Sequence, residues 1–252
     1  MRRLRRALAA AGLPALGIAV SMALVACSRT GSGGDATAPA GGVLLALGDS
    51  VAAGNGASDA ATTGFVALVA ADEGLRAEDL ARAGATTQDV LDVQLDPAVA
   101  ALRADGVRAV VISAGGNDLA ALIPNAACVQ DPLPAACPLD ETLAALAGRL
   151  DRILAALREA DARVPIVLLA YPNFFSHTGH PFEAPAARVL PRLAATLRSL
   201  AARRDNVRIA DAAPAFEGHG DALTHVLDTR SDPHPNDAGH RAIADAVEAA
   251  LR

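Results

Sequence analysis

The chain has 252 residues, of which 52% are apolar, and a formal net charge of −6; this length fits one ordinary domain plus a leader. With five Phe, one Tyr and no Trp, the core must be mainly aliphatic, and nucleic-acid modules that stack bases on aromatic rings are disfavoured. Without the four arginines at the amino terminus, 18 basic and 28 acidic residues remain, a balance of −10. A chain with this excess of acidic residues is unsuited to binding the phosphate backbones of nucleic acids.

Residues 1–26 join a basic start to an apolar stretch, which is the pattern of a secretory signal. A membrane-spanning anchor is the alternative, because about twenty apolar residues can cross a bilayer. Gly12, Pro14 and Gly17 make this stretch a poor permanent helix. The sequence Leu24-Val25-Ala26-Cys27 resembles the lipobox of bacterial lipoproteins. That resemblance implies cleavage before Cys27 and attachment of lipid to its thiol, and under either interpretation the body lies outside the cytoplasm.

Residues 27–42 comprise the cysteine that the resemblance implies is lipidated and a linker. The linker is predicted to be flexible, because it is rich in Gly, Ser, Thr, Ala and Pro and has no apolar period. Residues 43–252 then form the folded domain. Cys128 and Cys137 lie in a Pro-rich loop and are predicted to form a disulfide in an oxidising compartment, worth about 2–3 kcal/mol. Two free thiols or a metal site are the alternatives, and no neighbouring His completes a ligand set for a metal.

From residue 43 onward, apolar runs alternate with amphipathic stretches. This order predicts an α/β fold, a three-layer sandwich with a mostly parallel five-stranded sheet and helices on both faces. Strands are predicted at 43–47, weakly at 80–82, and at 108–113, 165–170 and 207–210. In the first half of the domain, helices are predicted at 63–73, from a cap at Thr86 or Thr87 through 95, and at 97–104. In the second half, they are predicted at 141–160 after a cap at Asp140, at 184–203, and at 238–251 after a cap at Asn236 or Asp237. Pro191 is expected to kink or break the helix at 184–203.

Four polar segments follow the strands of this plan. Ser50 comes after the first strand, Gly84 after the second and Asn117 after the third, while His234 lies between the last strand and the last helix. In a doubly wound sheet, these segments emerge at the carboxyl ends of the strands. We therefore expect four segments that are far apart in sequence to meet in one crevice.

The residue types in this crevice suit acyl transfer. Ser50 needs a base to take its proton, and His234 is suited to that role near neutral pH. The backbone N–H groups of Ser50 and Gly84 and the side-chain amide of Asn117 are candidate donors to the oxyanion of a tetrahedral intermediate. An acidic side chain is expected to orient the histidine.

The blocks Gly48-Asp49-Ser50, Gly84, Gly115-Gly116-Asn117-Asp118 and His234-Pro235 are similar to those of the SGNH hydrolases, the GDSL lipase and esterase family. This resemblance extends from about residue 43 to the end of the chain. It implies a flavodoxin-like sandwich and hydrolysis of carboxylic esters, with no metal and no organic cofactor. The Gly-x-Ser-x-Gly elbow of α/β-hydrolases is absent from the sequence.

The acidic partner of the histidine departs from the family pattern. The family commonly has Asp three residues before the histidine, where this chain has Ser231. Asp232 is the favoured partner for His234. The Ser231 carbonyl, with the enzyme working as a dyad, is the alternative, and Asp228 is a weaker candidate.

Other polar and aromatic residues have simpler interpretations. Asp49 and Asp118 are predicted to form hydrogen bonds in turns and loops. The aromatic residues after the fourth strand either pack locally or form an apolar wall for an acyl or alkyl group. These aromatic residues are Tyr171, Phe174, Phe175 and Phe182, and the histidines predicted at loop or helix surfaces are His177, His180, His219, His225 and His240.

The sequence thus predicts an extracytoplasmic, lipid-anchored serine esterase. Its substrate is a small-molecule, lipid or acylated-carbohydrate ester, its membrane contact is the lipid anchor, and it is expected to be a monomer that binds no nucleic acid. An acyltransferase that uses a carbohydrate acceptor is one alternative. A lipid-anchored binding protein without turnover is the other.

Overall fold

The structure is a computed structural model, and it describes residues 41–252 apart from 105, 123–124, 132 and 229–231. The leader, Cys27, nearly all of the linker and Ser231 lie outside these residues. Among the helices of the described part, none has the length and apolar character needed to cross a membrane.

A five-stranded sheet forms the centre of the fold, with strand order β2-β1-β3-β4-β5. All of its pairings are parallel, which confirms the predicted α/β class. Buried parallel strands read as continuous apolar runs because both of their faces are covered, and β1, β3 and β4 do so. The strands are β1 Val43–Gly48, β2 Arg76–Asp79, β3 Val107–Ser113, β4 Ile166–Ala170 and β5 Val207–Asp211.

Helices cover both faces of the sheet and complete the three-layer sandwich. The helix after β1 packs on the C-terminal helix, while those that follow β2, β3 and β4 pack on one another. They are α1 Phe65–Asp72, α2 Thr87–Asp89, a π-helical segment Val90–Gln94, α3 Leu95–Arg103, α4 Gly116–Ala120, a 3₁₀ turn Ala126–Val129, α5 Leu139–Ala160, α6 Glu183–Ala201, α7 Ala213–Phe216, α8 Gly220–Leu223 and α9 Asp237–Leu251.

Four element predictions differ from the structure. The second strand lies at Arg76–Asp79 instead of 80–82, because an edge strand pairs on one side only and lacks an apolar signature. The two helices predicted around Pro97 form one uninterrupted run of α2, π segment and α3, with Thr86 as the N-cap. Helix α6 continues through Pro191 without a break. The helix predicted after an Asp140 cap starts one residue before it, at Leu139.

The cysteine pairing is confirmed. Cys128 and Cys137 form a disulfide with their Cα atoms 4.8 Å apart. Both side chains are buried. The bond joins the 3₁₀ turn to the residues directly before α5, so it fixes part of the loop between β3 and α5.

The prediction of a surface position is wrong for His240. This residue lies in α9 and is fully buried. Its Nδ1 accepts a hydrogen bond from the Phe65 N–H at 3.2 Å, and its Nε2 donates to the Asn55 carbonyl at 3.0 Å. Burial lowers the pKa of His240, so its ring links α9 to the chain that follows β1 as a neutral imidazole.

Candidate active site

Three predicted side chains form one hydrogen-bonded row at the carboxyl edge of the sheet. The Ser50 Oγ lies 2.8 Å from His234 Nε2, and His234 Nδ1 lies 2.5 Å from Asp232 Oδ1. Burial alone would raise the pKa of Asp232, but hydrogen bonds from the His234 backbone N–H and ring outweigh it and lower that pKa. An ionised carboxylate can only accept. The carboxylate therefore favours the tautomer of His234 with its proton on Nδ1, and in that tautomer Nε2 accepts a hydrogen bond from the Ser50 hydroxyl.

A short turn explains why Asp232 reaches the ring from two residues upstream. Its Oδ1 also accepts the His234 backbone N–H at 3.0 Å, a local Asx hydrogen bond that folds the side chain back toward the histidine. Asp228 contacts His225 instead. The Ser231 alternative lies outside the described residues.

The chain around His234 is held from two sides. The His234 carbonyl accepts a hydrogen bond from the His225 N–H at 3.1 Å. On the other side it packs against Gly56, where a Cβ would lie 2.9 Å from the His234 Cβ and 2.2 Å from the Pro235 carbonyl oxygen. Gly56 has a φ of +89°, which also favours glycine. The His225 Nε2 bonds the Gly56 carbonyl at 2.8 Å, so a second imidazole supports the segment that faces His234.

The turn that carries Ser50 begins at Gly48. A Cβ at this position would lie 1.9 Å from the Ser113 carbonyl oxygen, and its φ is +129°, so only glycine fits. The buried side-chain amide of Gln94 accepts from the Gly48 N–H at 2.7 Å and donates to the Gly48 carbonyl at 2.9 Å. The π-helical segment thus fixes the turn just before the serine.

Asp49, the residue before the serine, belongs to a buried polar network. Its carboxylate accepts the Tyr171 hydroxyl at 2.5 Å, the Ser113 hydroxyl at 3.1 Å and the Val51 N–H at 3.0 Å. Burial raises the pKa of Asp49, and its hydrogen bonds oppose that rise. The predicted role as a turn hydrogen-bonder is therefore incomplete, since Asp49 also ties the turn of Ser50 to the ends of β3 and β4.

The segments after β2 and β3 are joined beside the serine. Asn117 Nδ2 donates to the Ala85 carbonyl at 3.0 Å. Asp118 accepts the Thr87 N–H at 2.8 Å and the Thr87 hydroxyl at 2.6 Å. The Nη1 of Arg149 lies 3.3 Å from the same carboxylate. These bonds fix Asn117 relative to the chain that carries Gly84.

Gly84 is exposed and has a φ of +79°, and a Cβ on it would meet no atom within 4 Å. In the described part of the chain, neither its N–H nor that of Ser50 donates to a protein acceptor. Two backbone donors and the second N–H of the Asn117 amide are thus free for a ligand oxygen. Ser50, Asn117 and His234 line one cavity, and Gly84 stands outside its wall.

The cavity has a volume of about 270 Å³. Ser50 and His234 lie in its wall together with the aromatic side chains that the sequence placed after the fourth strand. All four of these, Tyr171, Phe174, Phe175 and Phe182, line it. Phe175 and Phe182 also pack edge to face on each other, with ring centroids 5.7 Å apart.

The remaining histidines do not join the row of Ser50, His234 and Asp232. His180 stacks on Phe175. His225 pairs with Asp228, and that hydrogen bond, aided by the Gly56 carbonyl, raises the pKa of His225. Across the described ranges, no group of three or more His, Cys, Asp or Glu side chains is arranged to hold a metal ion.

Sequence reasoning missed the residues that support the site. Gln94, Ser113 and Tyr171 are fixed by contacts between distant segments, and each is an ordinary residue in its local context. A signal was available for Ser113 and Tyr171, because Ser113 ends β3 and Tyr171 directly follows β4, so that both stand at the same sheet edge as Ser50.

The strand order β2-β1-β3-β4-β5 is the flavodoxin-like topology, and the row of Ser50, His234 and Asp232 lies at the carboxyl edge of the sheet, where proteins of this topology bind their ligands. The model of the GDSL-like lipase/acylhydrolase family matches residues 46–242. The chain belongs to this family, and it is a carboxylic ester hydrolase. No curated protein matches its sequence.

Solved structures of esterases and lipases are similar over most of the chain. Phospholipase A1 from Streptomyces albidoflavus NA297 is 26% identical with a TM-score of 0.64, and the match covers 84% of this chain and 100% of that one. The extracellular lipase from Streptomyces rimosus is 26% identical with a TM-score of 0.63, covering 83% and 99%. A catalytic mutant of an acetylxylan esterase from Geobacillus stearothermophilus is 21% identical with a TM-score of 0.59, covering 84% and 94%; at that identity the likeness concerns the fold.

Proposed function

We propose that the protein hydrolyses carboxylic esters through an acyl-enzyme on Ser50, with His234 as general base and Asp232 as the group that orients it. The observation that carries this proposal is the row of hydrogen bonds from Ser50 Oγ through the His234 ring to Asp232. The serine hydroxyl points its proton at an imidazole nitrogen that is free to take it.

The reaction follows from this arrangement. Ser50 Oγ attacks the ester carbonyl carbon while His234 Nε2 takes the hydroxyl proton, and the imidazolium is stabilised by Asp232. The oxyanion accepts hydrogen bonds from the N–H groups of Ser50 and Gly84 and from the Asn117 amide. His234 then gives its proton to the leaving alkoxide. A water molecule, deprotonated by the same nitrogen, releases the carboxylic acid and restores Ser50.

The test is the intact mass of residues 28–252 after treatment with a fluorophosphonate, compared with Ser50→Ala. We expect one adduct on the wild type and none on the variant, together with hydrolysis of p-nitrophenyl acetate by the wild type alone. An unlabelled, correctly folded wild type would refute the proposal and favour the non-catalytic binding protein. Transfer of the acyl group to an added sugar in preference to water would favour the acyltransferase.

We also propose that the protein is a monomer held outside the cytoplasm by lipid on Cys27. The lipobox-like Leu24-Val25-Ala26-Cys27 and a disulfide in the folded domain support an oxidising location. Metabolic labelling of the full chain with radioactive palmitate, compared with Cys27→Ala, tests the anchor. Equal labelling of both would refute it, and light scattering of the soluble body tests the monomer.

A further inference from the structure

The cavity beside Ser50 has a composition that the hydrolytic chemistry does not require. Apart from Asp49, Ser50, Asn117 and His234, its described lining consists of apolar side chains, glycine and Tyr171. The Tyr171 hydroxyl is already engaged by Asp49. Beyond the four residues just named, the described wall has no charged or free polar side chain that could recognise a sugar or a phosphate.

The size of the cavity argues against a very short acyl group. At about 30 Å³ for each water molecule in the liquid, its volume of about 270 Å³ exceeds the needs of an acetyl group. A bound acetyl ester would leave water against apolar walls, and displacing that water by hydrocarbon is favourable. A chain of several methylenes is the ligand that these walls suit.

One part of the cavity wall combines two elements that carry no part of the Ser50, His234 and Asp232 row. Ala186, Val189 and Leu190 of α6 form one part, and Cys128 and Val129 of the 3₁₀ turn form the other. Unlike the aromatic residues after β4, these two parts are separate in sequence and must be held together.

The disulfide and an arginine hold this wall in place. The bond from Cys128 to Cys137 ties the 3₁₀ turn to the start of α5, where Leu139 is buried in the core. Arg188 of α6 donates to the Val129 carbonyl at 2.5 Å. The turn is thus fixed to α5 on one side and to α6 on the other.

We propose that this cavity binds the acyl chain of a fatty ester of medium length, and that the disulfide-held wall sets the preference of the enzyme for chain length. The inference rests on the proposed function, since the acyl carbon must reach Ser50. Each methylene enclosed is expected to raise kcat/KM roughly fourfold. Because the wall and the Ser50 row use different elements, chain-length preference can change while acetyl turnover is retained.

The experiment compares p-nitrophenyl acetate with p-nitrophenyl octanoate, below the solubility limit, on residues 28–252. For the wild type we expect kcat/KM on octanoate to exceed that on acetate by at least about tenfold. Ala186→Phe fills the cavity and should lower the octanoate-to-acetate ratio of kcat/KM by about tenfold or more. Ala195→Phe is the matched control, because Ala195 is an exposed residue of the same helix, and it should leave both rates unchanged.

The double variant Cys128→Ala with Cys137→Ala tests the wall itself. The expected result is a fall of at least about fivefold in the octanoate-to-acetate ratio of kcat/KM. Circular dichroism and fluorophosphonate labelling of Ser50 show whether the double variant has kept its fold. If it has not, the result for Ala186→Phe alone decides whether the wall sets the chain-length preference.

The outcomes separate the two proposals. Equal turnover of acetate and octanoate by a labelled wild type overturns the acyl-chain site and leaves the serine mechanism intact. An octanoate preference that Ala186→Phe does not change also overturns it. Absence of labelling and of turnover on both esters overturns the serine mechanism and this inference with it.

Discussion

Tyr171→Phe should destabilise the protein through one buried hydrogen bond. The Tyr171 hydroxyl donates to Asp49 Oδ2 at 2.5 Å, and both side chains are buried, with 6% and 2% of their surface exposed. The substitution removes one oxygen and leaves the ring in place. Asp49 thereby loses its shortest hydrogen bond.

The magnitude follows from the charge of the acceptor. A hydrogen bond to a charged group contributes about 1.5–3 kcal/mol, and we expect the free energy of unfolding at pH 8 to fall by that amount. Urea unfolding followed by circular dichroism measures it, with an unchanged m-value as the sign that only stability has changed. In the Asp49→Asn background, the same Tyr171→Phe change should cost about 1 kcal/mol, the value for a neutral pair.

The pH dependence of the cost of Tyr171→Phe provides a second test. The pKa of Asp49 is raised in the folded state above its ordinary value of 3.8, so its contribution to stability is largest below that value and is lost as pH rises through the folded pKa. Loss of the Tyr171 donor raises the folded pKa further, and the cost of Tyr171→Phe should therefore grow from acid to pH 8. A cost below 0.5 kcal/mol at pH 8, or an equal cost in the Asp49→Asn background, would refute this reasoning, with thresholds set by typical hydrogen-bond energies.

Three further changes test the site and its support. Asp232→Asn should lower kcat on the order of 10⁴-fold because the imidazole loses its oriented tautomer, and steady-state activity within a fewfold of wild type would remove that role. Asn117→Ala should lower kcat by about 10²- to 10³-fold with little change in KM, as expected for an oxyanion donor. Burial lowers the pKa of His240 below its ordinary 6.5, so its contribution to stability is present above that pH and is lost as pH falls, by at most about 1.4 kcal/mol per pH unit. His240→Gln should remove that part of the slope in urea unfolding between pH 7.5 and 5, and parallel curves for the two proteins would contradict it.

Much of the fold could be predicted because its central strands are apolar on both faces. The residues of β1, β3 and β4 form continuous aliphatic runs, and such runs separated by amphipathic helices have few arrangements other than a parallel sheet. The positions of Ser50 and Asn117 followed from the sheet edge. The same argument placed Gly84 and His234 there, and the family resemblance then implied that the four residues act together in ester hydrolysis.

The rest depended on contacts between distant residues. Strand β2 has polar and charged side chains, and its identity as a strand comes from its hydrogen bonds to β1. His240 lies on the buried face of α9 with Ile243, Ala244 and Val247, and its polar ring is accommodated there only because distant backbone groups, the Phe65 N–H and the Asn55 carbonyl, are its hydrogen-bond partners. The partnership of Asp49 with Tyr171 spans 122 positions, and nothing local to either residue indicates it.

The support of the nucleophile and the wall of the cavity belong to different parts of the molecule. The turn of Ser50 is fixed by polar groups from other segments, namely Gln94 on Gly48 and Tyr171 on Asp49. A site held by such cross-links keeps its geometry when neighbouring apolar side chains change, because none of its hydrogen bonds depends on them. We therefore expect that the α6 and 3₁₀-turn wall can vary in volume without loss of the serine chemistry, as the proposal that this wall sets the chain-length preference requires.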